Sequence, residues 1–324
     1  MKSRSGKSKK QEQPPVETPA KGRERKRGIQ LPILNPNATL FYLCAFGILV
    51  YIYQQWNTTS IPHTPPTLGF VTPWNKPINN PKVDILSPVW YEVNQEITGE
   101  PQKLDLYPNQ LVFPRYNING EYPVEKLLDH ITKHEYKGIV LEATLLLHRN
   151  PEYISNLVKK LKSAIKVILV CSPHEQLSPD SVYSIPADYF AVMTYDYNDG
   201  RIGGNSPLPW VANTMSRLKR LVPPHKLLVG IPFYGYKHKG TLGGKMTAQA
   251  EAVVNRDVIE WKEGAQEVYQ SDIQEQFYIK QGYTVVFPNE EFIKKRVEYA
   301  KREGFGISIW EIGQGAPTFY DALK

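Results

Sequence analysis

The sequence predicts an α/β protein: a (β/α)8 TIM barrel with an insertion between its seventh and eighth strands, preceded by one transmembrane helix. Three observations carry this reading. Eight short apolar runs alternate with helix-like stretches across residues 67–324, close to the about 250 residues usual for such a barrel. Residues 38–56 hold no charge at all. The 324 residues are 41% hydrophobic and 22% charged, an ordinary globular composition that excludes wholesale disorder. Two cysteines, Cys44 and Cys171, are too few for a disulfide scaffold or a multi-cysteine zinc site.

The chain divides into four parts. Residues 1–28 form a basic tail with almost no large apolar side chain, which reads as a disordered cytoplasmic segment. The tail holds ten of the 39 basic and three of the 32 acidic residues, so it carries the whole net charge of +7 and leaves a neutral body. A general nucleic-acid-binding surface is therefore not expected. Residues 38–56 (ATLFYLCAFGILVYIYQQW) have the length of a bilayer core, with Tyr51, Tyr53 and Trp56 gathered at the far end. A cleaved signal peptide would lack so long a basic region, and a core helix would show a polar stripe. The segment reads as an uncleaved signal-anchor. The basic tail stays cytoplasmic, which makes a single-pass type II membrane protein with its barrel in the secretory lumen or outside the cell. Residues 57–66 read as a stalk with three prolines, and Asn57 begins a glycosylation sequon there.

Residues 67–324 supply the barrel. Its strand candidates are TLGFVTPW, VDILSPVW, NQLVFPRY, KGIVLEAT, KVILVCS, YFAVMTYDY, KLLVGIPFYGY and FGISIWEIG. They are near-continuous apolar runs, as parallel strands buried on both faces should be. Val124, Leu127, Leu128 and Ile131 form one helical stripe; Ile154, Leu157, Val158, Leu161 and Ile165 form another. A last helix begins after Asn289, a suitable N-cap, and stops before Gly304. The stretch ITGEPQKLDLYP shows no helical period, and residues 237–288 are too long for one helix, so extra elements are expected there.

Working residues in such barrels lie at the carboxyl ends of the strands. Those ends carry Trp74, Trp90, Arg115, Tyr116, Glu142, Thr144, Tyr195, Asp196, Tyr197, Tyr234, Tyr236, Trp310 and Glu311. A neutral mouth lined with aromatic rings suits a sugar better than a phosphate or a metal. Several of these rings could equally cap the barrel core. His63, His130, His134 and His238 offer no pair at metal-ligand spacing, so neither a metal nor another cofactor is expected. Cys171 reads as a small core residue, and Lys159, Lys160 and Lys162 as a solvated helix face.

Three motifs carry a resemblance. MTYDY at 193–197, GIPFYGY at 230–236 and SIWEIGQG at 308–315 are similar to the sixth-, seventh- and eighth-strand motifs of family 18 glycoside hydrolases, the chitinases. GFVTPWN at 69–75, SPVWYEV at 87–93, residues 205–211 and QEQFYI at 274–279 resemble the chitinase domain-containing protein 1 group within it. The family's fourth strand reads Asp-x-x-Asp-x-Asp-x-Glu, its last Glu protonating the leaving oxygen while the substrate's own N-acetyl group attacks. The matching positions here are Lys137, Val140, Glu142 and Thr144. Thr144 occupies the general-acid position, and a hydroxyl does not deliver a proton near neutral pH. Tyr236 stands where many active relatives carry arginine. The resemblance implies a chitinase-like protein without catalytic residues that binds N-acetylglucosamine oligomers (chitin or chitooligosaccharides) through Trp74, Trp90, Glu142, Tyr195, Asp196, Tyr234 and Trp310. Two other readings stand beside it: a glycosidase whose acid has moved to Glu142, and a protein-interaction scaffold on the same fold.

Overall fold

The computed structural model describes residues 64–73, 80–173, 179–246 and 250–323. The expected tail at 1–28, span at 38–56, sequon at Asn57 and ring at Trp74 lie outside the described residues. Among those described, no helix is long and apolar enough to cross a membrane.

The chain opens with β1 (Thr67–Val71), β2 (Ile85–Pro88), β3 (Tyr91–Val93), β4 (Ile97–Thr98), β5 (Leu111–Val112) and β6 (Arg115–Ile118). Helix α1 (Val124–Lys133) then leads to β7 (Gly138–Glu142), and α2 (Thr144–Arg149) and α3 (Pro151–Leu161) lead to β8 (Lys166–Cys171). A short α4 (Pro179–Tyr183) precedes β9 (Tyr189–Val192), and α5 (Leu208–Leu218) precedes β10 (Leu227–Pro232). These strands join one curled eleven-stranded sheet in the order β4-β3-β6-β7-β8-β9-β10-β16-β1-β2-β5, where β16 is Gly306–Trp310. Among its ladders only β3·β4 is antiparallel.

Two expected strands are each broken in two. VDILSPVW and its continuation appear as β2 and β3, and NQLVFPRY as β5 and β6. Pro88 and Pro114 sit at the breaks, where the missing N–H interrupts a ladder. β2 pairs with β5 and β3 with β6, both in parallel. Traced through these breaks, the pairings run across eight parallel strands and return to the first.

The expected seventh strand is also shorter than its apolar run. β10 stops at Pro232, and Gly235 already begins β11 (Gly235–Lys239) of a second sheet. That sheet is five-stranded, in the order β12-β11-β15-β14-β13, from β12 (Glu251–Val253), β13 (Gln266–Gln270), β14 (Glu275–Lys280) and β15 (Tyr283–Val286). All its ladders are antiparallel, and α6 (Asn255–Trp261) lies between β12 and β13. It is the insertion expected between strands seven and eight.

Of the expected stripes, Leu127 and Ile131 from α1 and Ile154, Leu157, Val158 and Leu161 from α3 are buried, whereas Val124 and Leu128 pack on the core only partly buried. Ile165 lies beyond the end of α3 and packs on the core from the following loop. The last helix, α7 (Glu290–Glu303), starts where Asn289 accepts a hydrogen bond from the Phe292 N–H at 2.8 Å. It stops at Gly304, whose φ of 76° lies in the left-handed region that glycine enters without a Cβ clash.

Alternation divides the core in two. Ile139, Leu141, Val167 and Leu169 pack with the helices, whereas Val140, Ile168, Val170, Leu68 and Phe70 pack with one another on the opposite face. That second cluster contains no helical residue and fills the inside of the curl. It forms a dry floor beneath the strand ends.

Candidate functional site

Three neighbouring strands place one polar row above this floor. Glu92 of β3 is in register with Asn117 of β6, and Asn117 with Glu142 of β7. Arg115, one step below and mostly buried, donates from Nε to Glu142 Oε2 at 2.5 Å. Its Nη2 lies 3.9 Å from Glu92 Oε1, and Asn117 Nδ2 donates to Glu92 Oε2 at 2.7 Å. Burying a carboxylate beside an apolar floor requires such a partner, and Arg115 is the one Glu142 takes. Its Oε2 is thereby committed as an acceptor.

Strand β7 ends at Glu142, and Thr144 opens the short helix α2 instead of extending the strand. The sequence reading had continued the strand's alternation to Thr144. The chain turns one residue earlier, at Ala143, whose φ of −146° and ψ of 39° already leave the strand. Thr144 stands half-buried at this turn.

A second group gathers past β9. Asp196 adopts a φ of 60°, and its backbone N–H donates to Asn205 Oδ1 at 2.9 Å. Its Oδ1 accepts the hydroxyl of Tyr234, from the turn after β10, and that of Tyr236 on β11 at 2.8 Å. Burial, and after it the Asp196 charge, pushes both hydroxyls above the ordinary tyrosine range, so they remain neutral donors. Tyr195 is buried edge-on to the Tyr234 ring, with centroids 6.2 Å apart. Its hydroxyl is raised well above the usual range by burial, then by the charges of Asp196 and Glu142, opposed by Arg115.

Trp310 ends β16 half-buried on the dry floor, its ring 5.0 Å from Phe70 and tilted by 54°. Its neighbour Glu311 is fully buried and accepts the Thr72 N–H at 2.9 Å, a structural task at the strand end. Trp90 packs instead against the helix-side core, edge-on to Tyr91. The sequence reading named Glu142, Tyr195, Asp196, Tyr234 and Trp310, and the strand ends carry all five. It did not single out Glu92, Asn117 or Asn205, although SPVWYEV and the phrase from Asn205 onward contain two of them. Strand alternation would have placed Glu92 and Asn117 beside Glu142.

His130 and His134 lie on the helix side, among the rings of Tyr91, Tyr116 and Tyr136. Among the described residues no group of three His, Cys, Asp or Glu could hold a metal ion. The strand ends present hydroxyl, amide and carboxylate groups and the half-buried Trp310 indole, and every carboxylate just described already accepts a hydrogen bond. Such a surface can hold a polar, ring-shaped ligand against Trp310.

Residues 122–315, more than half of the chain, match the sequence profile described as Glycosyl hydrolases family 18. The chain belongs to glycosyl hydrolase family 18. Over 230 residues it is 21% identical to the uncharacterized glycosylase YvbX of Bacillus subtilis (strain 168), which covers 62% of this chain; the chain spans 64% of that relative's length. In fold this family 18 chain resembles a chitinase from Chromobacterium violaceum ATCC 12472, with a TM-score of 0.66 and 17% identity over 80% of this chain and 97% of that one. It also resembles human YKL-39, described as a pseudo-chitinase with retained chitooligosaccharide binding properties, with a TM-score of 0.65 and 12% identity over 80% and 98%. At these identities the likeness is one of fold.

Proposed function

We propose that this family 18 chain is a membrane-anchored protein that binds N-acetylglucosamine-containing glycans without hydrolysing them. The carrying observation is at the end of β7. The strand-four motif resemblance assigns Thr144 to the acid position, and the nearest carboxylate along the strand, Glu142, accepts from Arg115 at 2.5 Å. General acid catalysis requires a proton within hydrogen-bond reach of the leaving oxygen, and its loss alone removes about 10²- to 10⁴-fold of rate. The binding surface remains: Trp310 on its floor, Tyr195 beneath, and Asp196 held by Tyr234 and Tyr236. The fold-likeness to human YKL-39 supports the same reading.

The anchor is the charge-free segment at 38–56, and the lumenal or extracellular side is set by the basic tail before it. Membership of the chitinase domain-containing protein 1 group is part of the proposal; it rests on the motifs at 69–75, 87–93, 205–211 and 274–279.

Calorimetry on the full chain with N-acetylglucosamine tri- and tetramers tests binding; silence at millimolar ligand would sink it. A fluorogenic chitobiose conjugate tests the absence of hydrolysis. Turnover that disappears in Glu142→Gln would replace this reading with the relocated-acid enzyme.

A further inference from the structure

Two motifs far apart in the sequence meet behind the mouth. Glu275 of β14 and Arg296 of α7 are both 0% exposed, with Arg296 Nη2 3.5 Å from Glu275 Oε1. Between them lies the backbone of Ser206. Its N–H donates to Glu275 Oε1 at 2.7 Å, its carbonyl accepts from Arg296 Nη2, and its hydroxyl donates to the Thr194 carbonyl at 2.6 Å. Arg296 Nη1 also donates to the carbonyls of Phe292 at 3.0 Å and Gln274 at 3.2 Å. All of Ser206's hydrogen-bonding groups are thereby fixed. A Cβ on Gly204 would sit 2.9 Å from Glu275 Cγ, so the loop closes onto this carboxylate only because position 204 has no side chain.

The residue between, Asn205, faces the site. Its Oδ1 accepts the Asp196 N–H at 2.9 Å, its Nδ2 donates to the Tyr234 carbonyl at 3.3 Å, and its own carbonyl accepts the Tyr197 N–H at 2.9 Å. A path of hydrogen bonds thus runs from the buried pair through Ser206 and Asn205 to Asp196 and Tyr234. Stability alone is a poor account of the pair. Buried ion pairs are often no more stabilising than apolar residues of equal volume, and here Glu275 Oε2 and Arg296 Nε are buried with no hydrogen-bond partner among the described residues.

We infer that Glu275 and Arg296 are positioning residues for the glycan site, clamping Ser206 so that Asn205 holds Asp196 and Tyr234 where the ligand meets them. The inference rests on the glycan reading of that site. It connects the second sheet and the last helix to ligand affinity without contact between either charge and the sugar.

The test compares the full chain with Glu275→Gln, with the double variant Glu275→Leu/Arg296→Met, and with Gly204→Ala. Each is titrated with the N-acetylglucosamine tetramer, melted, and followed through the backbone amide signals of Asp196 and Tyr197. A charged hydrogen bond lost from the clamp, in Glu275→Gln and in the double variant, corresponds to about tenfold in affinity. Gly204→Ala keeps both charges and should weaken binding by pushing the loop off Glu275. All three variants should displace the Asp196 and Tyr197 signals. The double variant leaves the Ser206 N–H and carbonyl without their partners, so it is titrated well below its own melting transition. There it should bind about tenfold more weakly, with the Asp196 and Tyr197 signals displaced and those of strand β8 unmoved, a split that a merely structural pair would not produce. Wild-type affinity and unmoved signals in the double variant would overturn the inference. Should that protein not fold, the same result in Gly204→Ala, which keeps both charges, overturns it equally. If the wild type itself binds no tetramer, the glycan reading fails, and the amide signals alone decide whether the clamp positions Asp196.

Discussion

Trp310 and Thr144 carry the two halves of the proposal, glycan binding and the lack of hydrolysis, one residue each. The indole lies half-buried on Phe70 at the end of β16. An aromatic platform of that size contributes on the order of 1 kcal/mol or more to a ring contact. Trp310→Ala is therefore expected to weaken N-acetylglucosamine oligomer binding by about fivefold or more, with the melting temperature measured alongside to separate lost packing. Unchanged affinity would place the sugar elsewhere and favour the scaffold reading. Thr144→Glu restores a carboxyl at the acid position but not the carboxylates that the family carries at Val140 and Lys137. Trace hydrolysis of a fluorogenic chitobiose conjugate at most is expected, since such a glutamate lacks neighbours to set its protonation and orientation. Robust turnover would show that Thr144 alone accounts for inactivity. Glu142 was legible as an inward carboxylate from the alternation of β7, with Tyr195, Asp196 or Arg115 as its candidate partners; the structure selects Arg115, 27 residues away. No local pattern chooses among the three.

Helix α7 is the element most fully written in its own sequence. Asn289 caps it, Glu290 and Glu291 occupy its first turn, and Gly304 ends it. Asn289→Ala should cost about 1 kcal/mol of stability in chemical denaturation, within the usual range for a lost cap. A change below a few tenths would mean that water replaces the cap without cost. The same helix carries Arg296 to Glu275, whose carboxyl is pushed up to about 7 by burial, against the opposing pull of Arg296 and the Ser206 and Asn205 amides. The folded state then binds more protons than the unfolded one between the unfolded value near 4.5 and about 7. Stability from this group accordingly rises as pH falls through that window and is lost as pH rises to 7. The stability difference between wild type and Glu275→Gln should move in favour of the wild type from pH 7.5 to 5. A flat or opposite trend in urea midpoints would refute this. The strands were legible to a lesser degree. Apolar runs located them, but Pro88 and Pro114 cut two of them, and the turn before Gly235 handed Tyr236 to the other sheet. The sequence located that insertion but not its sheet, because the ladder that joins it to β11 is nonlocal, Tyr236 meeting Val286 fifty positions on, and β13 reads Gln, Glu, Val, Tyr, Gln with little burial.

At the scale of the whole molecule, the charge distribution and the fold speak to different questions. The body beyond residue 28 holds 29 basic and 29 acidic side chains, so nothing in its net charge would draw it to a nucleic acid or an anionic surface. The basic tail and the charge-free segment set the proposed topology, and Asn57 reports on it. Expressed in a glycosylating eukaryotic host, the chain should show an endoglycosidase-sensitive mobility shift that Asn57→Gln removes. A secreted product that lacks residues 1–56 would overturn the anchor.

The position of β16 has a consequence for how this chain is made. β16 pairs with β1 on one side and β10 on the other, and the Thr72 N–H reaches Glu311 across 239 residues of sequence. β1 and β10 are apolar and buried along their whole length. Until β16 leaves the ribosome, each of them lacks its partner on one edge, and unpaired apolar edges are where nascent chains associate wrongly. At about 5–20 residues per second, the first strand waits roughly ten to fifty seconds for its last neighbour. Loss of even the final twenty residues would make that interval permanent, leaving a polypeptide that holdase chaperones and quality-control proteases should retain.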